Sequence, residues 1–518
     1  MKNNYLLSVA LLLAVLPVLI FRDYTPSNEL RYLSIIDEAL RNGNIWTFTN
    51  QGLPYADKPP LYFWILMLGK CMLGNHYMWF GTLFSFVPAL VIMGVMDKWV
   101  SGEATIVNRL TGKLMLMSCG LFLGLAVILR MDMLMCMFIV LSLRTFYKML
   151  QGEGSAGGWN ALLFPFYVFM AIFSKGPVGI LVPLLSTLVF LGMTGRLRTF
   201  GRYWGWKTWG VLLAGCIIWF CGVYLEGGKA YLNNLLFNQT VNRAVNSFHH
   251  EEPFYYYFIS VWYSLAPWSL LLVGVIVAGA CRKLIKTELE RFFAAVLIAT
   301  FVMLSCISSK IAVYLAPAFP FFVYLPVLLL SRFQWNRWMA LAVAFPAAAL
   351  CLSAPGLVVL GQIEATAFLG QPFFYVAGGV LSVSGVVSLF FLYRKHALNK
   401  SVNVLAIGLF LAIFVGGWSL PAINSRMGFT DLCQKARTVA EEKKLSGYIT
   451  FEISRPESMD VFLDNEVRSI SILGILTNDY SGNVLMLPAD IATESPLIRA
   501  FIARKEKYEV GPYLVVAL

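Results

Sequence analysis

RDYTPSNELRYLSIIDEALRNGNIWTFTNQGLPYADKPPLYFW, residues 22–64, lies between two hydrophobic runs and carries Glu29, Arg31, Asp57 and Lys58 among aromatic residues. That is a poor composition for a mere connector between membrane segments. It reads as the active-site loop of a membrane enzyme, and the rest of the chain is best understood outward from it.

The chain has 518 residues, 58% of them hydrophobic and 13% charged, too apolar for a soluble domain and too long for a single anchor. Apolar stretches near the ~20 residues needed to cross a bilayer recur to about residue 422, which predicts about 13 membrane helices. The first, 5–21, lacks a small-residue cleavage site and is expected to be retained. Later spans fall near 78–97, 113–129, 133–149, 159–173, 177–193, 209–225, 257–280, 292–307, 311–331, 338–354, 372–393 and 402–421. Nine scattered cysteines show no metal-finger spacing, so neither a zinc finger nor a disulfide framework is expected.

The formal charge of +12 would suggest nucleic acid in a soluble protein. Here the Lys and Arg residues cluster in alternate loops, near 98–113, 144–148, 196–207, 282–291, 332–337 and 394–400. By the positive-inside rule these loops face the cytoplasm, so the charge is a topology signal and no nucleic-acid partner is expected. The other loops, 22–77 and 227–256 and the turns at Arg130-Met131-Asp132, Ser174-Lys175-Gly176-Pro177 and Ser308-Ser309-Lys310, then lie outside. The polar chemistry gathers on that outer face.

In the first loop, SNELRYLSIIDEAL predicts a surface helix with Ser27 as cap, and KPPLYFWILMLGKCML a second, Pro-started one. From residue 423 the pattern turns charged and alternating. A helix over 430–444, capped by Thr430, and strands at 448–453, 467–473, 484–487 and 513–518 predict a small α/β domain over 423–518. The fold class is thus an α-helical polytopic membrane domain, 1–422, followed by a small extracytoplasmic α/β domain.

Several side chains at the outer level are candidates for chemistry. Glu29 sits at the positive end of the first surface helix, where a carboxylate stays ionised; a plain helix cap is the competing reading. Asp132 sits where a span begins and is either functional or a local partner of Arg130. Lys58, Lys175, Arg243 and Lys310, with Arg130, place cations on the outer face against the positive-inside bias, which suggests an anionic ligand such as a phosphate. His249 and His250 are two of only four histidines and are either metal ligands or surface residues.

Taken in order, Asn-Glu-Leu-Arg-Tyr at 28–32, Pro-Tyr-Ala-Asp-Lys-Pro-Pro-Leu-Tyr-Phe-Trp at 54–64, Arg-Met-Asp at 130–132, Ser-Lys-Gly-Pro at 174–177, Asn-Arg at 242–243, His-x-x-Pro at 250–253, Pro-Trp at 267–268 and Ser-Ser-Lys-x-x-x-Tyr-x-x-x-x-x-Pro at 308–320 form one pattern. It resembles the aminoarabinose-transferase and protein-mannosyltransferase group of GT-C membrane glycosyltransferases. The resemblance spans residues 1–330 or so. It implies a polyprenyl-phosphate sugar donor and an acceptor that is lipid A or a periplasmic protein or glycan, at the outer face of the bacterial inner membrane. It also implies that Lys58, Arg243 and Lys310 hold the donor phosphate, that Asp132 lines the catalytic cavity, and that Asp57 and His250 fall at a divalent-metal pair. The family usually reads Asp-Glu where this chain has Asn28-Glu29. An amide cannot take a proton from an acceptor, so any base is Glu29 or Asp132. The expected activity is inverting glycosyl transfer. A transporter of a lipid-linked sugar is the alternative, but it would place charges near the bilayer midplane between repeats, whereas here they sit at outer turns.

Overall fold

The computed structural model describes residues 2–152, 158–237 and 251–518. These divide into two compact units: Met1–Leu16, Ala56–Tyr62 and Gly81–Gly416 form the first, and Pro17–Tyr55, Phe63–Phe80 and Gly417–Leu518 the second.

The first unit is helical because its sequence is a succession of apolar runs, and only a helix satisfies its own backbone in hydrocarbon. Among the described residues of the whole chain, eight helices are long and apolar enough to cross a membrane, or ten if each of two bent pairs counts as one span. The expected 13 spans are therefore not all matched by a helix of full spanning length. The shortfall has a simple cause: apolar helices such as Asn160–Lys175 and Val178–Met193 have 16 residues each, about 24 Å of rise. The protein is integral to a membrane, and its lipid-facing residues are bare apolar side chains such as Leu213, Ile217 and Ile218.

Inside this unit, aromatic rings lock the spans together. Phe292 packs at 5.0 Å from Phe190, 5.4 Å from Tyr147 and 5.8 Å from both Phe146 and Trp99. Because lipid tails are as apolar as these rings, dispersion and shape rather than hydrophobic transfer favour the packing.

In the second unit the segment after the first span turns through a π-helical stretch, Pro26–Leu30, into the helix Arg31–Asn42. The expected Ser27 cap is not used: Thr25 precedes the turn, and the Glu29 carboxylate accepts from the Thr25 backbone N–H at 2.8 Å. A short hairpin, β1 (Thr49–Asn50) with β2 (Leu53–Pro54), follows, and the predicted second surface helix is Leu61–Leu73.

The last hundred residues form a five-stranded sheet from β3 (Gly447–Thr450), β4 (Val467–Ser469), β5 (Asn483–Pro488), β6 (Lys507–Val510) and β7 (Tyr513–Ala517), in the order β4-β3-β5-β7-β6. The first three strands pair in parallel and the last two are antiparallel. Leu485, Leu487, Leu514 and Val516 pack with Ile498 and Ile502 into its core. The predicted strand over 467–473 stops early, because Ser471 accepts from the Gly474 N–H and starts a helix, Ile472–Thr477.

The helix Thr430–Lys443 forms as expected, but Thr430 does not cap it. The cap is Asp23: its carboxylate accepts from the Thr430 N–H at 3.0 Å and from the Thr430 hydroxyl at 2.6 Å.

Asp460, whose Oδ2 accepts from the Ser34 hydroxyl at 3.0 Å, gives this unit a pH signature. Burial pushes its carboxyl up to about 6. An unfolded Asp ionises near ~3.9, so the folded state holds a proton that the unfolded chain has already shed. The stability contribution is present below that lower value and is lost as pH rises through about 6. The unfolding midpoint is expected to fall between these two values of pH more steeply than in Asp460→Asn; parallel profiles for the two proteins would refute this.

Candidate active site

The turn before Asp132 is pinned from a neighbouring span. Buried Ser85 donates to the Arg130 carbonyl at 2.8 Å and accepts from the Arg130 N–H at 3.4 Å. Asp132 is thereby fixed at the start of the helix Asp132–Leu150 with 1% of its surface exposed. A carboxylate so enclosed needs partners, and it has two: Arg130 Nε at 2.9 Å and the Lys175 ammonium in an ion pair.

Lys175 arrives there because the turn after its helix is exceptionally tight. Gly176 adopts φ 102°, ψ −149°, a conformation that disfavours any residue with a Cβ. Gly179 packs so close to the preceding helix that a Cβ would lie 2.3 Å from the Ala171 carbonyl carbon. These two glycines hold the ends of Asn160–Lys175 and Val178–Met193 together and leave the lysine nowhere else to go. Its ammonium also lies 5.0 Å from the centre of the Tyr314 ring.

Tyr314 belongs to a 3-10 segment, Ala312–Ala318, that follows Ser308-Ser309-Lys310 and packs against the Asp132 helix. Lys310 is 4% exposed. Its ammonium donates to the Glu252 carbonyl at 2.8 Å and lies 3.5 Å from the Ser308 carbonyl; it makes no ion pair among the described residues. A buried ammonium whose partners among the described residues are carbonyl dipoles suits an incoming anion.

In the second unit, Glu29 is 1% exposed and its two oxygens are crowded with donors. Arg22 grips them in a fork at 2.6 and 2.7 Å, and the Thr25 hydroxyl adds a bond at 2.9 Å. As a proton acceptor Glu29 would have to surrender one of these bonds. Arg31 stacks its guanidinium 5.6 Å from the centre of the Tyr55 ring.

The structure thus brings Arg130, Asp132 and Lys175 together, with Lys310 on the segment that supplies Tyr314. The expectation that all the cations serve an incoming anion meets a competing demand, since Arg130 and Lys175 also neutralise Asp132. Lys58 and Asp57 are half-buried in the first unit, just before Pro59-Pro60 and the helix that follows. Arg243 and His250 lie outside the described residues. Asp57 offers an oxygen suited to a divalent ion, yet among the described residues no three His, Cys, Asp or Glu side chains converge on a metal position. Tyr314 stood in the Ser-Ser-Lys-x-x-x-Tyr pattern with no role assigned to it, and Arg22 and Ser85 were not singled out from sequence. Of these two, Arg22 carried a signal, a charge directly abutting an apolar run and seven residues from Glu29.

No protein-family model matches the chain. It is 25% identical to an uncharacterised protein of Aquifex aeolicus over 73% of this chain and 77% of that one. It is 22% identical to the undecaprenyl phosphate-alpha-4-amino-4-deoxy-L-arabinose arabinosyl transferase 1 of Pseudomonas fluorescens, over 84% of this chain and 78% of that protein. Among solved structures it superposes on ArnT from Cupriavidus metallidurans bound to undecaprenyl phosphate with a TM-score of 0.76 at 19% identity, covering 98% of this chain and 96% of the other. In the order of its motifs and in its fold, the chain is similar to the aminoarabinose transferases of the GT-C membrane glycosyltransferases.

Proposed function

We propose that this protein transfers an amino-pentose or related sugar from a polyprenyl-phosphate donor to a phosphate of lipid A, at the periplasmic face of the inner membrane. The observation that carries the reading is Lys310, a buried ammonium with carbonyl partners only among the described residues. Such a group suits the phosphate of a lipid donor and leaves little reason to exist in a purely structural role. The relatives named as undecaprenyl phosphate-aminoarabinose arabinosyl transferases support the sugar and donor class.

In this reading an oxygen of the acceptor phosphate attacks the anomeric carbon from the face opposite the leaving group. The bond from that carbon to the donor phosphate oxygen breaks, its electron pair departs with the polyprenyl phosphate, and the sugar's configuration inverts. Lys310, Lys58 and Arg243 receive the developing charge, and Asp132 with its two cations shapes the cavity. A phosphate acceptor arrives already ionised, so no strong base is required. That fits Asn28 in the first loop and the full occupation of Glu29 by Arg22 and Thr25. A protein hydroxyl acceptor would demand a base that these residues do not readily supply. A divalent ion at Asp57 and His250 would add positive charge beside the donor phosphate.

The test is mass spectrometry of lipid A and of periplasmic glycoproteins from cells with the gene, without it, and carrying Lys310→Met. The expected result is loss of a sugar mass from lipid A in the deletion, and in Lys310→Met a fall on the order of 10²-fold or more in transfer, as for removal of one transition-state charge contact. Loss from glycoproteins instead would assign protein O-glycosylation. No change in either pool would favour transport of the lipid-linked sugar.

A further inference from the structure

At the far end of the same helices lies a second polar site that sugar transfer does not use. The helix Asn160–Lys175 delivers Lys175 to Asp132 at its C-terminus, and its other end, at Ala161, lines two adjoining cavities about 20 Å away along the helix. One, of about 240 Å³, is lined by Arg202, Tyr203, Lys207 and Thr208 among others. The other, of about 390 Å³, is lined by Leu162, Gly210, Val211 and Ala214. Ala161, Trp206 and Lys207 border both, so a basic chamber opens directly onto an apolar groove.

The basic side chains of this chamber differ from their neighbours at the same end of the bundle. Arg109 and Lys113 are spent on Asp97, Arg196 on Glu288 and Arg332 on Glu290. Among the described residues, Arg202 and Lys207 make no ion pair and no carboxylate lines either cavity. Beside them Trp206 is 81% exposed, with the Lys207 ammonium 5.8 Å from the centre of its ring, the arrangement of an interfacial anchor at headgroup level.

Two cations with no ion-pair partner among the described residues, above an apolar groove between membrane helices, match one kind of molecule. We propose that this is a binding site for an anionic diacyl phospholipid, its phosphate held by Arg202 and Lys207 and one acyl chain lying along Ala161, Gly210 and Ala214. Gly210 gives the chain its room: a Cβ built there meets nothing within 4 Å. The site's distance from Asp132 makes it an anchoring and stabilising site for annular lipid, not a second donor site.

The test is native mass spectrometry of the full-length protein in detergent, titrated with phosphatidylglycerol and with phosphatidylcholine of matched chains. Phosphatidylglycerol is expected to bind at least tenfold more tightly. The Arg202→Ala/Lys207→Ala variant should lose that preference. Gly210→Leu, which fills the groove, leaves both cations in place and favours the helix, should weaken phosphatidylglycerol binding at least tenfold. If the double variant does not stay monodisperse, Gly210→Leu decides alone. Equal affinity for the two lipids, or full binding in Gly210→Leu, would overturn the proposal. So would displacement of phosphatidylglycerol by a polyprenyl phosphate at lower concentration, which would make the site one for the carrier lipid.

Discussion

Replacing Asp132 with Ala is expected to abolish sugar transfer and to destabilise the purified protein by about 3–5 kcal/mol, the usual cost of removing one partner from a buried ion pair. The size follows from the enclosure: at 1% exposure, the missing carboxylate takes from Arg130 and Lys175 the charge that holds them side by side, with little water to replace it. The triple variant Arg130→Met/Asp132→Leu/Lys175→Met tests whether the loss is only structural. With all three members apolar, stability should return in large part, because well-packed apolar groups often match a buried ionic cluster. Transfer should not return. Thermal unfolding in detergent and sugar transfer to lipid A measure the two effects separately, and recovery of transfer in the triple variant would show that Asp132 serves only the fold.

The second large effect concerns Glu29. Glu29→Ala takes the carboxylate from Arg22, which is 8% exposed and loses both arms of its fork, so a similar destabilisation of about 3–5 kcal/mol is expected. Transfer should fall with it. Here the double variant Arg22→Met/Glu29→Leu is expected to regain most of the stability and part of the transfer. That outcome separates a clasp from a base. A residue that removes a proton is not rescued by deleting its partner, whereas a residue that holds the first loop in shape is. Restored stability with transfer still absent would assign the proton-taking role to Glu29 and favour a hydroxyl acceptor.

Much of this architecture was legible in the sequence because the physics that dictates it is local. Apolar runs longer than a bilayer is thick become spans, and alternating polar and apolar residues near the carboxy end become strands β3, β5 and β7. The errors share a cause, which is dependence on distant partners or on subtle local competition. SISILG over 469–474 has the composition of a strand, and only the side chain of Ser471 diverts it into a helix. KYEV over 507–510 carries too much charge to suggest a strand, yet as an edge strand it needs only one buried neighbour, β7. The cap of the Thr430–Lys443 helix could not be read locally at all, since Asp23 is 407 residues away.

The same holds in the site. That Asp132 was a candidate, with Arg130 as a local partner, was visible from its position at a span's start. That Lys175 would be consumed by it, 43 residues away, depends on helix packing around Gly176 and Gly179. Counting cations therefore pointed to one set of loops and to an anionic ligand. It could not say which cations were already engaged.

The bond from Asp23 to Thr430 bears on how the protein is made. Asp23 emerges from the ribosome hundreds of residues before its partner, and until Thr430 follows, its carboxylate has neither of the two donors that hold it there. The loop around Asp23 is consequently completed only after Thr430 has been made. A nascent chain can be threaded into the bilayer span by span and still carry this loop unfinished.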